Sequence, residues 1–247
     1  MLGAHISLTR MMARRFVEHR LAVASGVVLI LLCILCAGAP VREAALGLNA
    51  TEVDLFARFE GPSAAHWLGT DELGRDVFLR LLYAGQVSLF VALAAALAAA
   101  VIGTAIGIVA GYRGGWVDAL LMRVTDTVIA LPLLPLLIVL AKVDLSKLGL
   151  PADAAHGETA QLWRLVAIIA LFGWTTVARL VRGATLSVRE REFVRAAEAL
   201  GARSTRIMAV HILPNVMTPV IVATTLSMGG IVLFESVLSF LGLGVQP

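Results

Sequence analysis

The feature that most constrains this chain is a run without charge: residues 21–39, LAVASGVVLILLCILCAGA. A stretch of roughly 20 apolar residues matches the hydrocarbon thickness of a bilayer when it is helical. The rest of the chain repeats the theme. It is 59% hydrophobic and 15% charged over 247 residues, with a mean hydropathy of +0.90. Soluble domains carry about 45–50% apolar and about 25% charged residues. In a bilayer every backbone polar group must be satisfied internally, so the expected fold class is all-α and polytopic, with about five transmembrane helices.

The predicted spans are Leu21 to about Ala39, Gln86 to Ala110, Ala119 to Leu140, Leu162 to Val181 and Pro214 to about Leu241. Ala37-Gly38-Ala39 resembles a signal-peptide cleavage site, but the apolar run is long for one and Pro40 follows it. The first helix is therefore read as retained. Arg10, Arg14, Arg15 and Arg20 precede it and place the N-terminus in the cytoplasm. On this topology 13 of the 20 Lys and Arg fall in inner segments and 7 in outer ones. The positive-inside rule agrees, so the net charge of +3 reflects cationic inner loops rather than nucleic-acid binding.

Several residues stand out along the chain. Cys33 and Cys36 share one helical face with no His or acid nearby; they read as small packing groups, not a redox or metal pair. Asp76 to Ala84 reads as a short helix leading into the second span. Gly103, Gly107 and Gly111 recur every fourth residue, the spacing that leaves a groove for close approach of another helix. Pro132 and Pro135 interrupt the third span and should kink it. Asp126 reads either as an intramembrane functional acid or as an interfacial partner of Arg123 one turn earlier. Lys142 to Gln161 reads as a polar outer loop. Glu235, in the fifth span, is read as a structural hydrogen-bonding group, the alternative being contact with a transported solute.

One segment breaks the apolar pattern, EREFVRAAEALGARSTRIMAVHILPN (190–215). Arg189 to Leu200 predicts a helix with Phe193, Ala196, Ala197 and Leu200 on one face. Gly201 is a helix stop, and Ser204 or Thr205 is placed to cap a second helix running to Ile212. Pro214 opens the next span. The first helix presents a mostly small face, whereas a helix that lies on headgroups carries large apolar residues. Docking onto another protein is the expectation. No GxxxxGK[ST] loop occurs, so the chain is not expected to bind nucleotide, to be an enzyme or to carry a cofactor. Ser187, Ser227 and His211 form no recognisable nucleophile motif, which argues against an intramembrane serine protease. A secondary transporter would often show repeated halves; none is seen.

RAAEALGARSTRIMAVHILPN resembles the EAA motif of the membrane subunits of binding-protein-dependent ABC importers. Ala196, Ala197, Gly201, Leu213 and Pro214 match it; Arg195 stands where the family usually has Glu, and His211 where it has Ile. HWLGTDELGRDVFLRLLYAGQVSL (66–89) and ESVLSFLGLG (235–244) resemble the dipeptide, oligopeptide and nickel permease branch, in its second, shorter subunit type. The resemblance implies a type I ABC importer transmembrane fold over residues 83–247, preceded by a tail, first span and periplasmic segment over 1–82. It implies a coupling helix that docks on cytoplasmic ATPase subunits through Glu192, Arg195, Ala196, Ala197, Glu198, Gly201 and Ala202. It also implies a second homologous permease, a periplasmic or extracellular solute-binding protein, and a location in the bacterial inner membrane. The family has a sixth span after SFLGLG, which this sequence is expected to lack.

Overall fold

The computed structural model describes residues 16–141 and 157–242. Among these the helices are α1 (Arg20–Ala37), α2 (Ala39–Leu46), α3 (Val77–Arg113), α4 (Gly115–Ala130), α5 (Leu133–Ala141), α6 (Glu158–Arg189), α7 (Glu192–Ala199) and α8 (Ser204–Phe240). Four are long and apolar enough to cross a membrane: α1, α3, α6 from Thr159, and α8. The expected third span is not a continuous helix. Pro132 drives Leu131 out of the helical region, to φ −72° and ψ 136°, leaving helices of 16 and 9 residues. At 1.5 Å per residue the first reaches about 24 Å, short of the roughly 30 Å core; the second is described as far as Ala141. Most of the predicted Lys142–Gln161 loop lies outside the described residues.

The chain divides into two compact units, up to Gln86 and from Val87. In the first, no residue of α1 is buried, as expected of a helix apolar on all sides and facing lipid. Cys36 packs on Gly85, where a Cβ would come within 2.6 Å of its sulfur, and the Gln86 amide donates to the Cys36 carbonyl at 2.6 Å. Cys33 is exposed instead. The short helix expected before the second span is continuous with it in α3. Leu79, Leu82, Ala39 and Ala50 form a small core.

The segment before α3 is held by two carboxylates. Asp76 caps the helix: its Oδ1 accepts the Leu79 N–H at 2.6 Å, and its Oδ2 meets His66 Nδ1 at 2.9 Å. Asp71 Oδ1 accepts the N–H groups of Leu73 and Arg75 at 2.8 and 3.0 Å. Its Oδ2 takes Arg75 Nε at 2.9 Å and Arg80 Nη1 at 2.5 Å. Arg42 lies over the Trp67 ring at 4.2 Å. Gly69 and Gly74 have φ of +74° and +77°, and a Cβ on Gly74 would sit 1.7 Å from the Asp54 carbonyl oxygen. The GTDELGRD stretch is thus a folded cap on α3.

In the second unit α3, α6 and α8 share two apolar clusters. One gathers Val91, Ala95, Leu165, Ile169, Ile231 and Leu238; the other gathers Ile108, Val181, Val194, Ile207, Ile212 and Val216. The glycine stripe of α3 faces α6 as its spacing predicts. A Cβ on Gly103 or Gly107 would lie 2.6 Å from the Trp174 or Ala178 carbonyl oxygen, and one on Gly111 2.7 Å from Thr185 Cβ.

Two outcomes test the cap on α3. Gly74→Ala places a side chain on a left-handed backbone, costing about 1–3 kcal/mol, and adds the clash with Asp54. Cleavage by a protease in the 48–76 segment should rise about 5- to 150-fold, since each 1.4 kcal/mol is tenfold; Gly61→Ala, with open space around it, should leave the rate unchanged. The second outcome concerns pH. Burial pushes the Asp71 carboxyl up, but the backbone N–H groups of Arg75 and Leu73 and the Arg75 guanidinium outweigh it and hold the group at about 2, against an ordinary 3.8. A depressed folded pKa stabilises fully above 3.8 and is lost as pH falls towards 2. Protease resistance of the cap should decline across that window, and less so in Asp71→Asn.

Candidate functional site: the elbow between α6 and α8

The charged segment folds as an elbow. α6 runs further than the predicted span, to Arg189, so the helix expected over Arg189–Leu200 is divided. Arg191 takes an extended ψ of 147°, and the chain turns off α6 before α7 starts at Glu192. The Glu192 carboxylate lies in the first turn of α7, where the helix dipole favours it.

Two side chains anchor α7. Val194 and Ala197 are buried, at 0% and 9% exposure, against Val181 of α6 and Ile207 and Ile212 of α8. Ala197, expected in the docking set, faces inward here, because it shares a helical face with Val194 three residues earlier. Ala202 is half-buried in the same cluster. The Val194 anchor was legible as a β-branched apolar residue three before Ala197, but the sequence reading passed over it. Glu192, Arg195, Ala196, Glu198 and Gly201 are exposed. Phe193 and Leu200 are exposed with them, Leu200 by 88%. The outward surface therefore has an apolar stripe, Phe193–Ala196–Leu200, flanked by charge.

The helix ends as predicted at Gly201, with φ +76°. The Gly201 N–H bonds the Glu198 carbonyl at 2.9 Å and the Ala202 N–H bonds the Ala197 carbonyl at 3.0 Å, the paired bonds of a Schellman stop. The N-cap of α8 is Arg203, without a side-chain cap bond, so the expected capping by Ser204 or Thr205 does not occur. The second short helix and the fifth span are one continuous helix. Residues Ile207–Ile212 adopt π-helical pairing just before Pro214, whose ring would clash with a carbonyl one α-turn back; the wider π turn relieves that conflict. His211 sits in this turn, and its carbonyl accepts the Asn215 side-chain amide at 2.7 Å.

Polar contacts tie the elbow to its neighbours. Arg195 donates to Glu190 at 2.5 Å, holding that carboxyl below its usual range. Both side chains are more than half exposed, so this pair contributes little to stability. The Tyr112 hydroxyl, near the end of α3, donates to Glu198 at 3.0 Å. Arg189 donates to the Gly111 and Tyr112 carbonyls at 3.2 Å each, capping the C-terminus of α3 with positive charge.

The two membrane acids are placed away from the elbow's outer surface. Asp126 pairs with Arg179 of α6 at 2.5 Å, not with Arg123; the partner lies across a helix contact that sequence proximity could not reveal. Glu235 is buried, accepting from Ser88 of α3 at 2.6 Å and from Ser239 at 2.7 Å. Ser227 spends its hydroxyl on the Ala223 carbonyl at 2.8 Å. No group of three His, Cys, Asp or Glu residues suited to a metal occurs among the described residues.

Comparison with known proteins gives two family matches. Residues 103–247 match the binding-protein-dependent transport system inner membrane component, and residues 7–42 match the N-terminal TM domain of oligopeptide transport permease C. The oligopeptide transport system permease protein OppC of Mycobacterium tuberculosis H37Rv is 35% identical over 237 residues, covering 96% of this chain and 76% of its own. The dipeptide transport system permease protein DppC of Bacillus subtilis 168 is 37% identical over 243 residues, 98% of this chain and 70% of its own. The OppC of the same B. subtilis strain is 33% identical over 240 residues, 97% and 73%.

Proposed function

The chain belongs to the inner membrane components of binding-protein-dependent transport systems, and from that premise we propose that it is the permease subunit of an ATP-driven importer whose elbow takes the thrust of a cytoplasmic ATPase. It is a multi-pass inner membrane protein. In this reading the N-terminus lies in the cytoplasm. Residues 83–247 carry the transporter's transmembrane domain. A second, related permease completes the path, and a solute-binding protein delivers cargo from outside. Peptides are the favoured cargo, because the similar permeases are named for oligopeptides and dipeptides. ATP hydrolysis is assigned to the partner subunits.

The observation that carries the docking role is how the elbow is built. Val194 and Ala197 fix α7 from beneath while Phe193, Ala196 and Leu200 face outward. A lever must be stiff at its root and exposed at its tip, and α7 is both. Arg195, in place of the family's Glu, is neutralised by Glu190 within the chain, so docking does not depend on an acid at that position.

Gly201→Trp tests the role. Gly201 is surrounded by open space, so the indole would project from the tip without clashing, although its left-handed backbone costs about 1–3 kcal/mol. Membrane insertion should persist, while co-purification of the ATPase and peptide uptake should fall together, at least tenfold. Gly201→Asn, which tolerates the left-handed conformation, should retain both. Uptake at the unmodified rate in Gly201→Trp would remove the docking role.

A further inference from the structure

The second unit is not uniformly packed. Among the described residues, the two large apolar clusters draw on α3, α6 and α8, with Val194, Ala197 and Ala202 of the elbow segment and Leu140 of α5. α4 contributes to neither. Its one buried residue is Thr125, and Val128 alone joins the small cluster of Ala99, Trp174 and Ala178. Trp116, Leu120, Val124 and Ile129 are exposed.

Beside the Val128 contact with Trp174 and Ala178, two ion pairs tie α4 to α6. Asp118 receives Arg182 Nε and Nη2 at 2.5 and 2.6 Å, and Asp126 receives Arg179 at 2.5 Å. The outer pair is at least half exposed on both sides, 56% and 50%; the inner pair is more sheltered, 16% and 34%. Both ends of α4 are also jointed. Gly114 and Gly115 precede or open it with φ of +64° and +55°, and no atom within 4 Å faces a Cβ on Gly115. Leu131 and Pro132 break the chain at the other end. Beside that break lies a cavity of about 340 Å³, bordered by Val128, Ile129, Leu131, Phe172, Ser227 and Phe234 among others.

By contrast, α3 and α6 approach to backbone contact along the glycine stripe, and Arg189 and Tyr112 link the end of α3 to the elbow. Tightly packed interfaces shift as units rather than deform continuously. We infer that α4 is a hinged segment, latched by Asp118–Arg182 and Asp126–Arg179, that swings against a single block made of α3, α6, the elbow and the inner part of α8. Thrust on the elbow moves the block; α4 changes its angle at the Gly114–Gly115 and Leu131–Pro132 joints, and its far end has the adjoining cavity to enter. The inference rests on the docking role proposed above and adds which part of the bundle moves relative to which.

The test is a pair of distances in the importer assembled with its ATPase subunits and reconstituted in lipid. Cys33 and Cys36 are replaced by alanine. Spin labels are placed at Leu120 of α4 and Leu180 of α6, and in a second sample at Val101 of α3 and Leu180. All three positions are exposed. On adding ATP with hydrolysis blocked, the Leu120–Leu180 distance should change by about 2 Å or more, at or above the upper end of helix shifts in switching proteins, while Val101–Leu180 stays fixed. Asp118→Asn should broaden the Leu120–Leu180 distribution without ATP. An assembled importer in which Leu120–Leu180 stays fixed, or Val101–Leu180 moves as much, overturns the inference and leaves docking standing. Failure of the ATPase to assemble with the unlabelled chain overturns docking and this inference together.

Discussion

The second unit depends on the contact between α3 and α6, where three glycines on one helix let the backbones meet. Side chains at Gly103, Gly107 and Gly111 would each drive into α6 atoms at under 3 Å. In lipid there is little hydrophobic drive between helices, so association rests on close van der Waals contact. That contact aligns the inner ends of α3 and α6. It brings Arg189 under the α3 carbonyls and Tyr112 to Glu198. Without it the elbow would lose one of its two attachments.

The elbow is then a consequence of where apolar residues fall after α6 ends. Val194 and Ala197 return α7 to the bundle, the Gly201 stop redirects the chain, and Ile207 and Ile212 carry it back through a π turn into α8. The outward stripe is what remains. Because the anchor is apolar and the external ties are charged, the root of the elbow is stable while its exposed rim can exchange partners.

Much of this was legible in the sequence. The glycine period named the helix contact, Gly201 named the end of α7, and the Pro132 break was anticipated as a kink. What escaped were properties set by neighbours distant in sequence. Asp126 looked for Arg123 because both lie on one helix, yet its partner is Arg179 on another. Ala197 matched an outward-facing motif but is buried, because α7 rotates to satisfy Val194. The π turn was hidden because a proline after a short helix also reads as the start of a new one. GTDELGRD was recognisable as a family-like stretch, but only the Asp54 and Glu60 carbonyls against Gly74 and Gly69 explain why those positions are glycine.

The central claim is that α7 is the surface on which an ATP-hydrolysing subunit acts. The most direct measurement places a photo-crosslinking amino acid at Leu200, exposed at the tip of α7, and another at Leu55 in the segment before α3, which is also exposed. Illumination of native membranes followed by mass spectrometry identifies what each position touches. The account predicts that Leu200 captures an ABC ATPase subunit and Leu55 does not. Capture of lipid alone or of a protein on the external side by Leu200 would contradict it.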